Sequence, residues 1–520
     1  MSQYEPIHHL LENSADRTPD RTVLVHGESR VTFGEVETAA NRLANLLRHR
    51  GVTGGDRVAL LADNSLDYVV GFFGILKAGG CVVALNSANK ARTRNQLLRD
   101  SGTVGLVTRL AQTRRDLPEV VAGCEALRCV VLDRVNPRWE LPPDLEVVTN
   151  EQLTGLDGDR PNLEVPVGQP ATILYTSGST GLPRGATLTH RNLAANTRQI
   201  LAYLRLTPDD SVMVVLPFHY SFGNSLLLTH IAVGARLVID NRFAYPHVVL
   251  DTMEQEQVTG FSGVPSTYAF LTAKSDFLQR EFPALRYLTQ AGGAMSPALT
   301  RLLREALPSR IELFVMYGQT EASARLSYLP PARLLEKLGS IGVAIPGVTL
   351  TVQRDDGGEC DVDEVGEIVA AGDNIMAGYW NDPEETARVL RGGRLFTGDL
   401  ARRDSDGYLF VVDRIKNIIK CGAHRVSAKE IEETIAELPG VMEVCVVGLP
   451  DELLGEAIEA FVVRADLSTD SGTMLNEQAV LLHCRDNLAM FKIPRAVTFL
   501  DQLPKSSSGK IVKAELIKQH

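Results

Sequence analysis

The sequence predicts an α/β protein with a large N-terminal domain and a smaller C-terminal α+β domain. At 520 residues, the chain is too long to fold around one hydrophobic core. Short β-rich runs alternate with segments of helical periodicity from Arg57 onward, which is typical of a largely parallel sheet flanked by helices. After Asp413 the pattern changes to a compact mixture of helices and strands. We therefore expect one domain over residues 1–413 and a second over residues 414–520.

The composition excludes several classes of protein. A formal net charge of -11 does not fit a nucleic-acid-binding protein, which needs a basic face. Residues 1–11 lack the basic and apolar regions of a signal peptide, and the most apolar stretch, Tyr68–Leu85, is interrupted by Lys77, so no membrane span is predicted. The cysteines form no C-x-x-C pair, which indicates reduced thiols. We expect a cytoplasmic protein, a monomer or a homodimer, with no nucleic acid as partner.

The first part of the chain contains clear signals for helices and strands. Thr32 and Glu35 form a predicted capping box, and Gly51 ends the helix that follows. Two further helices are predicted over Ser65–Ala78 and Arg92–Ser101. The predicted strands are Arg57–Leu61, Cys81–Leu85, Val104–Thr108 and Cys129–Asp133. Residues 134–168 are rich in proline and are predicted to be rich in loops.

A second series of elements begins with a predicted strand at Ala171–Tyr175, a loop and a predicted helix over Ala186–Ile200. The later strands of this region are predicted at Ser211–Leu216, Arg236–Asp240, Val258–Ser262, Tyr287–Gln290, Ile311–Tyr317, Thr349–Arg354, Glu367–Ala371 and Tyr408–Asp413. The C-terminal region is predicted to contain a capping box at Ser427–Glu430, strands at Val444–Gly448 and Glu459–Val463, and a helix at Gln478–Leu488.

The loop after Ala171–Tyr175 reads Y-T-S-G-S-T-G-L-P-R-G over residues 175–185. Backbone N–H groups freed by glycine, together with the hydroxyls, can surround phosphate oxygens, and a guanidinium neutralises their charge. A flexible Gly/Ser connection is the alternative, but the hydroxyls and the fixed cation favour phosphate binding. The Walker pattern does not fit, which disfavours an ordinary P-loop NTPase. The candidate phosphate-binding residues are Thr176, Ser177, Gly178, Ser179, Thr180, Gly181 and Arg184.

Four later motifs complement this loop. Y-G-Q-T-E over residues 317–321 offers an aromatic face, a hydroxyl and a carboxylate, which suit a base, a phosphate and Mg²⁺. Q-A-G-G-A over residues 290–294 lets a flat ligand approach the backbone. T-G-D over residues 397–399 offers a carboxylate, a bidentate acceptor for a ribose diol. P-K-S-S-S-G-K over residues 504–510 ends in a lysine. Taken alone, each motif also fits an ordinary turn or a solvated tail.

Together and in this order, the motifs resemble those of the adenylate-forming superfamily, which contains acyl- and aryl-CoA synthetases, peptide-synthetase adenylation domains and beetle luciferases. The resemblance covers essentially the whole chain, although Arg184 stands where lysine is commoner. It implies a large domain of layered sheets flanked by helices, a small β-rich subdomain, and a mobile C-terminal lid. It also implies ATP-dependent conversion of a small carboxylic acid to acyl-AMP with release of pyrophosphate, followed by transfer to a thiol.

The resemblance also implies roles for individual residues. Tyr317 is expected to stack on adenine, Thr320 to touch the α-phosphate, and Glu321 to hold Mg²⁺. Asp399 is expected to bind the ribose hydroxyls, and Lys510 to be the catalytic lysine that bridges the acid and the α-phosphate. The other expected nucleotide contacts are Gly292, Gly293, Gly318, Gln319 and Arg414.

The start of the small domain is expected to serve the second half of the reaction. By the same resemblance, the lid rotates about a hinge at Asp413 and Lys416, and a new face then lines the tunnel for the pantetheine thiol. That face is expected to include Lys420, Gly422 and Ala423. Ala423 occupies the place of a usual glycine, so its methyl group stands where the backbone must approach closely.

The expected acid pocket follows the strand Ser211–Leu216. Its candidate residues are His219, Tyr220, Phe222, Gly223, Asn224 and Ala291. By the resemblance, His219 lies beside the carboxylate, although a buried structural histidine is the alternative. The stretch contains no acidic residue to bind an α-ammonium, and an unpaired buried ammonium is costly. We therefore expect an acid without an α-amino group.

Three functions remain open at this point. The first is an acyl-CoA synthetase that uses ATP, Mg²⁺ and CoA. The second is a stand-alone adenylation enzyme that loads the phosphopantetheine arm of an acyl or peptidyl carrier protein. The third is a nucleotide-binding relative without catalysis, against which the presence of Glu321, Asp399 and Lys510 argues.

Overall fold

The computed structural model describes residues 4–176, 183–421, 424–451, 455–464, 475–505 and 511–518, with only the backbone of Lys416 and Arg425. These residues form two compact units. Unit 1 contains Met1–Leu338, Gly342–Leu350 and Ala370–Leu395, and unit 2 contains Gly339–Ile341, Thr351–Val369 and Phe396–His520. The functional division after Asp413 stays a prediction.

The helices occur in both units. In chain order they are α1 (His9–Arg17), α2 (Phe33–His49), α3 (Leu66–Lys77), α4 (Ala91–Ser101), α5 (Leu110–Thr113), α6 (Leu117–Ala122), α7 (Asn150–Thr154), α8 (His190–Leu204), α9 (Ser221–Val233), α10 (Pro246–Gln255), α11 (Pro265–Lys274), α12 (Pro297–Ala306), α13 (Pro383–Val389), α14 (Ala428–Ala436), α15 (Glu477–Asn487) and α16 (Lys513–Lys518). Short 3₁₀ helices span Thr320–Ala322, Pro331–Arg333, Ile415–Asn417 and Met490–Lys492.

The strands alternate with these helices. In chain order they are β1 (Thr22–His26), β2 (Ser29–Thr32), β3 (Arg57–Leu61), β4 (Cys81–Ala84), β5 (Gly105–Thr108), β6 (Cys129–Leu132), β7 (Glu146–Thr149), β8 (Pro170–Thr176), β9 (Arg184–Thr189), β10 (Ser211–Val214), β11 (Arg236–Ile239), β12 (Gly260–Gly263), β13 (Tyr287–Gln290), β14 (Glu312–Tyr317), β15 (Ser327–Leu329), β16 (Val343–Ala344), β17 (Val348–Gln353), β18 (Gly366–Gly372), β19 (Gly378–Tyr379), β20 (Leu390–Arg391), β21 (Arg394–Arg403), β22 (Leu409–Arg414), β23 (Ile418–Cys421), β24 (His424–Ser427), β25 (Val441–Asp451), β26 (Gly455–Arg464) and β27 (Ala496–Leu500).

Unit 1 contains two large sheets. The nine-stranded sheet has the order β16-β15-β14-β13-β12-β10-β11-β1-β2, and the eight-stranded sheet has the order β19-β9-β8-β4-β3-β5-β6-β7. The central strands of both sheets pair in parallel, for example β13 with β14 and β4 with β8, while antiparallel strands lie at the edges. The predicted α/β class with layered, largely parallel sheets is confirmed.

Helices α2 and α3 show how the sequence builds the core of unit 1. Thr32 accepts a hydrogen bond from the Glu35 N–H at 3.2 Å, and the Glu35 carboxylate accepts one from the Thr32 N–H at 2.8 Å, so the predicted capping box is confirmed. The apolar face of α2 then buries Leu43 against α3. At Gly74 of α3, a Cβ would lie 2.8 Å from a Leu43 methyl carbon, so glycine permits this close helix packing.

The predicted turn from a strand to a helix after residue 176 is wrong. Residues 177–182 connect two antiparallel strands, since β8 pairs with β9 in the register Thr176↔Arg184 and Leu174↔Ala186. Helix α8 begins only at His190, because Thr189 provides its N-cap and accepts a hydrogen bond from the Asn192 N–H at 3.2 Å. Most of the predicted helix Ala186–Ile200 therefore exists, but its first turn is strand.

Residues 134–168, predicted to be rich in loops, are mostly loop and also contain the short elements β7 and α7. One further prediction needs correction. At the start of α14, Ser427 accepts a hydrogen bond from the Glu430 N–H at 3.4 Å, but the Glu430 carboxylate binds the Lys492 ammonium at 2.6 Å. Because that carboxylate serves a partner from elsewhere in unit 2, the predicted reciprocal capping box is not formed.

A third sheet has the order β17-β18-β21-β20, with β22 paired to β21, and the chain passes between the two units within β17, β18 and β21. The fourth sheet belongs to unit 2 and has the order β24-β23-β26-β25, with β27 parallel to β26. Helices α14 and α15 pack on it around Ile431, Val462 and Val480. This mixed sheet with helices confirms the predicted smaller α+β element.

None of the helices in the described ranges combines the length and the apolar character that crossing a lipid bilayer requires.

Candidate active site

The nine-stranded sheet of unit 1 brings three predicted motifs to one edge. Strands β10, β12, β13 and β14 are parallel neighbours, so the segments that follow them leave the sheet at the same side. Residues 216–224 follow β10, residues 291–294 follow β13, and residues 318–321 follow β14. The carboxyl edge of a parallel sheet is where open α/β folds bind ligands. The expected place of the Y-G-Q-T-E motif at a strand end is confirmed.

Gly318 allows the chain to turn sharply after β14. A Cβ at this position would lie 2.1 Å from the Ala324 carbonyl oxygen and 2.7 Å from the Arg325 Cα, so the turn excludes any other residue. The fold returns at once into β15, where the Leu326 N–H donates to the Tyr317 carbonyl at 2.8 Å. The sharp turn therefore places Tyr317, Gly318 and Gln319 at the carboxyl end of β14.

Thr320 and Glu321 are held by side chains from other elements. The Thr320 and Ser221 hydroxyl oxygens are 3.3 Å apart, which links the Y-G-Q-T-E turn to the first residue of α9. The Tyr379 hydroxyl donates a hydrogen bond of 2.7 Å to Glu321 Oε1. Burial and the nearby Glu321 carboxylate raise the pKa of Tyr379, so the phenol stays protonated and remains a donor. The carboxylate of Glu321 thus has a fixed orientation.

Replacing Tyr379 with phenylalanine is expected to lower ATP–pyrophosphate exchange about tenfold. The change removes a partner that orients a predicted metal ligand, and losses of outer partners typically cost about 10–100-fold. Steady-state exchange rates measured at increasing Mg²⁺ would show the reduction together with a higher Mg²⁺ concentration at the half-maximal rate. The exposed Tyr245 provides a matched Tyr→Phe control, because its side chain is 69% exposed and lies outside the site. Equal rates for both variants would contradict this role of Tyr379.

Asn374 and Ser323 brace the same turn. The Asn374 side chain is fully buried, and its amide donates to the carbonyls of Ala322 at 3.2 Å and Arg325 at 3.0 Å. Ser323 has a φ of +64°, which is strained for a residue with a Cβ, and its hydroxyl donates to the Asn374 carbonyl at 2.7 Å. These contacts keep Thr320 and Glu321 in place.

The predicted phosphate loop is described only at its two ends. Ser177, Gly178, Ser179, Thr180 and Gly181 lie outside the described residues. The ends are joined, because the Thr176 hydroxyl donates to the Arg184 carbonyl at 3.4 Å.

The Arg184 guanidinium has partners within unit 1. Its Nη1 lies 2.7 Å from Glu385 Oε1, its Nε lies 3.7 Å from Asp382 Oδ2, and its Cζ lies 5.8 Å from the centre of the Tyr379 ring. Arg388 and Arg184 together hold the pKa of Glu385 below its ordinary value, although burial opposes them. The predicted phosphate-binding cation is therefore oriented by a helix-borne carboxylate and a tyrosine that also touches Glu321.

The Gly292 and Gly293 turn follows β13. Gly292 has a φ of +85°, which favours glycine, and both glycines are exposed. The buried Gln290 donates from Nε2 to the Gly293 carbonyl at 2.8 Å and fixes the turn. Ala291, predicted in the acid pocket, is 3% exposed and packs in the hydrophobic core of unit 1.

The predicted acid-pocket segment is positioned by Asn64. This residue donates to the Leu216 carbonyl at 2.9 Å and accepts from the Phe218 N–H at 2.8 Å. At Gly223, a Cβ would lie 2.0 Å from the Pro217 carbonyl oxygen, so only glycine lets α9 begin this close to the segment. His219 is 9% exposed, and its Nε2 has no hydrogen-bond partner among the described residues.

The buried state of His219 predicts a pH dependence of stability. Burial lowers the pKa of His219 to about 4 from an ordinary value of 6.5. The neutral ring therefore stabilises the fold above pH 6.5, and this contribution is lost as the pH falls toward 4. Each proton taken up on unfolding changes the free energy of unfolding by about 1.4 kcal/mol per pH unit.

Replacing His219 with glutamine is expected to make the free energy of unfolding less dependent on pH between these values. Denaturant unfolding at a series of pH values from about 4.5 to about 7 gives this slope for the wild type and for the variant. His49 is exposed and provides the matched His→Gln control. A slope that stays the same in His219→Gln would contradict a neutral buried ring.

Of the other residues in this segment, Asn224 borders a small cavity. Asn224 is 2% exposed, and neither its Nδ2 nor its Oδ1 has a hydrogen-bond partner among the described residues. It lines a cavity of about 10 Å³ with polar side chains of α8, α9 and the turn at Ser323. Tyr220 accepts a hydrogen bond from the Asn86 amide at 3.1 Å, and Phe222 lies under the Arg325 guanidinium, whose Cζ is 3.9 Å from the ring centre.

In unit 2, the T-G-D motif lies on a strand and not in a free turn. Asp399 is 2% exposed, and its Oδ1 lies 2.7 Å from the Nε of Arg414 on the neighbouring strand β22. Gly398 has a φ of +73°, and its N–H donates to Glu367 Oε1 at 2.9 Å. Arg414, predicted as a separate nucleotide contact, thus fixes the carboxylate that is predicted to bind ribose.

The predicted hinge residue Asp413 is tied to the start of α14. Its Oδ2 accepts from the Ser427 hydroxyl at 2.8 Å and from the Lys429 N–H at 3.2 Å. Lys416 lies in a 3₁₀ helix, and Lys420 lies on β23 with an exposed side chain. The other predicted tunnel residues, Gly422 and Ala423, lie outside the described residues.

Lys510 also lies outside the described residues, but the chain on either side of it is fixed within unit 2. Lys505 forms an isolated β-bridge with Ile511, and the Val512 N–H donates to the Pro504 carbonyl at 2.8 Å. Lys513 binds Glu432 Oε1 at 2.9 Å and the Val446 carbonyl at 2.9 Å. The segment 506–510 therefore starts and ends at adjacent, anchored positions.

Several residues of the site were missed by the sequence prediction. Tyr379, Asn374 and Asn64 are far in sequence from the segments that they hold, and no local pattern marks them. Ser221 lies between two predicted pocket residues, Tyr220 and Phe222. Its hydroxyl between two aromatic side chains was a usable signal.

Comparison with protein families identifies two regions. The model of the AMP-binding enzyme family matches residues 11–380, and that of the AMP-binding enzyme C-terminal domain matches residues 430–510. Among curated proteins, a feruloyl-CoA synthase from an Amycolatopsis species is 35% identical over 503 residues, covering 96% of each chain. A long-chain-fatty-acid–CoA ligase from Yersinia pestis is 32% identical and covers 99% of this chain and 94% of its own.

Solved structures agree in fold. An anthranilate CoA ligase in complex with anthranoyl-AMP superimposes with a TM-score of 0.88 at 25% identity, over 100% of this chain and 98% of that one. An o-succinylbenzoate CoA synthetase from Bacillus subtilis in complex with ATP and magnesium ion gives a TM-score of 0.84 at 27% identity, over 99% and 100% of the two chains. Both similarities extend over both units of the chain.

Proposed function

The chain belongs to the AMP-binding enzymes of the adenylate-forming superfamily, and we propose that it converts an acid without an α-amino group, ATP and CoA to acyl-CoA, AMP and pyrophosphate. It is an AMP-forming acid–thiol ligase. The strongest structural support is the arrangement of Thr320 and Glu321 at the carboxyl edge of the nine-stranded sheet, held by Ser221 and Tyr379. The similarity to CoA ligases over nearly the whole chain supports CoA as the acceptor.

In the first half-reaction, a carboxylate oxygen of the acid attacks the α-phosphorus of ATP. The bond from that phosphorus to the bridging oxygen breaks, and pyrophosphate leaves with the electron pair. Because a carboxylate has no usable leaving group, this step supplies one in the form of AMP. The protein's contribution is mainly positioning and neutralisation of charge. We assign the α-phosphate contact to Thr320, the phosphate loop to Thr176–Arg184, and the bridging cation to Lys510.

Glu321 fits the expected Mg²⁺. Hard oxygen donors suit this ion, and the Tyr379 hydrogen bond already orients the carboxylate through Oε1. When bound there, Mg²⁺ would neutralise charge on the ATP phosphates. The task of the protein is to keep the Glu321 carboxylate correctly oriented.

Asp399 and Arg414 fit the ribose of the nucleotide. An ionised carboxylate accepts two hydrogen bonds from a cis-diol, and Arg414 holds one of its oxygens at 2.7 Å. Because Asp399 is 2% exposed, its charge is costly without that arginine.

In the second half-reaction, the thiol of CoA attacks the acyl carbon of acyl-AMP. The C–S bond forms, the thiol proton is released, and AMP leaves with the former carboxylate oxygen. We assign the thiol tunnel to the segment from Lys416 to Ala423, with Asp413 as the hinge. The contacts of Asp413 with Ser427 and Lys429 give this hinge a defined resting state in unit 2.

The residues around Phe222 support an acid without an α-ammonium. Arg325 is 2% exposed, and none of the described carboxylates forms an ion pair with it. Burial lowers the pKa of Arg325 to about 10, which leaves the guanidinium charged at neutral pH. A substrate ammonium beside Phe222 would meet this cation and no carboxylate, so its binding would be unfavourable.

A screen for acids that drive ATP–pyrophosphate exchange tests this function. Aromatic acids such as ferulate and indoleacetate, fatty acids of increasing length, and amino acids provide the panel. At least one acid without an α-amino group is expected to drive exchange and, with CoA, to give a thioester. A clear preference for an α-amino acid would overturn the substrate class. Acyl-AMP without thioester would instead point to a carrier protein as acceptor, and no exchange with any acid would indicate a non-catalytic relative.

A further inference from the structure

A cluster of titratable side chains lies in unit 1 at the start of α1, outside the elements that hold the proposed site. His8 is the residue before the helix, and His9 and Glu12 lie in its first turn. One donor atom from each of these three residues lies within 4.8 Å of those of the other two. The His8 and His9 rings are nearly perpendicular, with centroids 4.7 Å apart. We call these three residues the N-terminal histidine cluster.

One ring nitrogen of His8, the buried histidine of this cluster, lacks a hydrogen-bond partner among the described residues. His8 is 4% exposed, and its Nδ1 forms no hydrogen bond with any described residue. A buried ring nitrogen without a partner costs free energy, so its persistence calls for an explanation. The cluster borders a cavity of about 90 Å³ that is also lined by Lys77, Arg160 and Asn162. This volume exceeds what one water molecule needs, so it can hold an ion with a water ligand.

The surrounding ion pairs fix Glu12 and leave an excess of negative charge. Lys77 is nearly fully buried, and its ammonium binds Glu12 Oε1 at 2.5 Å and Glu37 Oε1 at 2.9 Å. The other oxygen, Glu12 Oε2, lies 3.9 Å from His9 Nε2. Arg160 binds Glu37 and Asp16, each at 2.7 Å.

The carboxylates around the cluster therefore outnumber the cations. Glu12, Asp16 and Glu37 surround Lys77 and Arg160, and Glu5 Oε2 adds a further carboxylate 3.9 Å from His9 Nδ1. With neutral histidines, the cluster has the charge that a divalent cation would balance. The cavity is lined by Glu12, Lys77 and Arg160, and both of these cations already pair with carboxylates, so the net charge around the cluster favours a cation over an anion.

We propose that His8, His9 and Glu12 bind one Zn²⁺ ion at the start of α1. Two imidazoles and one carboxylate are a donor set that zinc prefers, whereas Mg²⁺ and Ca²⁺ prefer oxygen donors alone. Bonds of about 2.0–2.1 Å to a tetrahedral ion require donor atoms roughly 3.4 Å apart. Movements of the donor atoms by about 1 Å, through side-chain rotation, would bring them to this spacing. Lys77 then acts as the partner that orients Glu12 through its second oxygen.

Zinc binding at this cluster would affect the stability of α1, which has contacts with other helices. Glu12 of α1 binds Lys77 of α3, Lys77 also binds Glu37 of α2, and Ser14 donates to the Ile231 carbonyl of α9 at 2.7 Å. Because zinc would bind the folded chain and not the unfolded one, it would stabilise the fold by an amount that rises with the logarithm of its concentration. Acid activation itself would not need the ion, since none of the three residues belongs to the proposed site.

Titration of the full-length protein with Co²⁺ and Zn²⁺ after removal of metals tests this proposal, without ATP or Mg²⁺ present. One Co²⁺ per chain with the visible absorption of a tetrahedral site is expected, with displacement by Zn²⁺ and a higher melting temperature in Zn²⁺. His9→Ala and His8→Gln are expected to weaken binding at least tenfold, as loss of a ligand does, while His49→Ala leaves it unchanged. ATP–pyrophosphate exchange should be the same in all these proteins.

His9 is partly exposed, with a side chain that is 37% exposed, so His9→Ala keeps the test valid if His8→Gln does not fold. Binding that is equal in wild type and His9→Ala would overturn the proposal, and so would less than one bound ion per chain or a Co²⁺ spectrum without tetrahedral bands. In those cases the cluster is a network of ion pairs that fixes α1 without a metal.

Discussion

Replacing Lys510 with alanine is expected to lower ATP–pyrophosphate exchange by about 10²–10³-fold, the loss typical of removing one donor that stabilises transition-state charge. During attack on the α-phosphorus, negative charge accumulates on oxygens that an ammonium on a flexible stem can neutralise. The residue lies outside the described part of the chain, but its loop starts and ends at the bridged pair Lys505 and Ile511.

The control is the nearby Lys505, whose ammonium already pairs with Glu443 in unit 2. Lys505→Ala is expected to change exchange less than threefold, because it loses a partly exposed ion pair (of about 0–1 kcal/mol). A second readout separates the half-reactions. Thioester formation from added acyl-AMP and CoA should remain within tenfold of wild type in Lys510→Ala, since AMP is already attached. Near-normal exchange in this variant would exclude Lys510 as the catalytic lysine.

Replacing Glu321 with glutamine is expected to lower exchange by about 10²–10³-fold as well, because a metal ion supplies several kcal/mol of charge stabilisation. Glutamine keeps the size of the side chain and an oxygen that accepts the Tyr379 hydrogen bond, so only the charge and the metal affinity change. The rate at saturating ATP should require higher Mg²⁺ in the variant than in the wild type.

Glu336 provides the matched Glu→Gln control, because its side chain is 57% exposed and pairs with Arg333 on the surface. Melting curves of both variants show whether the fold is retained. If Glu321→Gln were as active as Glu336→Gln at all Mg²⁺ concentrations, Glu321 would not be the metal ligand.

Local patterns in the sequence predicted most of the fold. Thr32 and Glu35 start α2 with a capping box, because both partners lie within one helical turn of each other. β13 and β14 were predicted within one residue of their bounds, since buried strands in parallel sheets are short apolar runs.

The element after the phosphate loop was mispredicted for a nonlocal reason. Ala186 and Leu188 fit a helix by local periodicity, but β8 on one side and β19 on the other hold this segment as strand β9. Neither partner strand is signalled by the residues of β9. Tertiary pairing therefore decided the structure against the local pattern.

The sequence predicted the residues of the site that are expected to contact ligands, but it did not predict the residues that hold them in place. Tyr317, Glu321 and Asp399 belong to recognisable motifs, because the chemistry of a nucleotide requires those side chains at those spacings. Tyr379 is separated from Glu321 by 58 residues, and only the fold brings its hydroxyl to the carboxylate. Asn374 likewise acts through two backbone carbonyls, a role that leaves no mark in the sequence.

The central claim is that the acid is activated by direct attack of its carboxylate on the α-phosphorus of ATP. An active acid labelled with ¹⁸O in both carboxylate oxygens, incubated with ATP, Mg²⁺, CoA and the enzyme, tests this claim most directly. Mass spectrometry should find one ¹⁸O in the phosphate of AMP, one in the acyl-CoA carbonyl, and none in pyrophosphate. AMP without label, or label in an inorganic phosphate released with ADP, would contradict the acyl-AMP route.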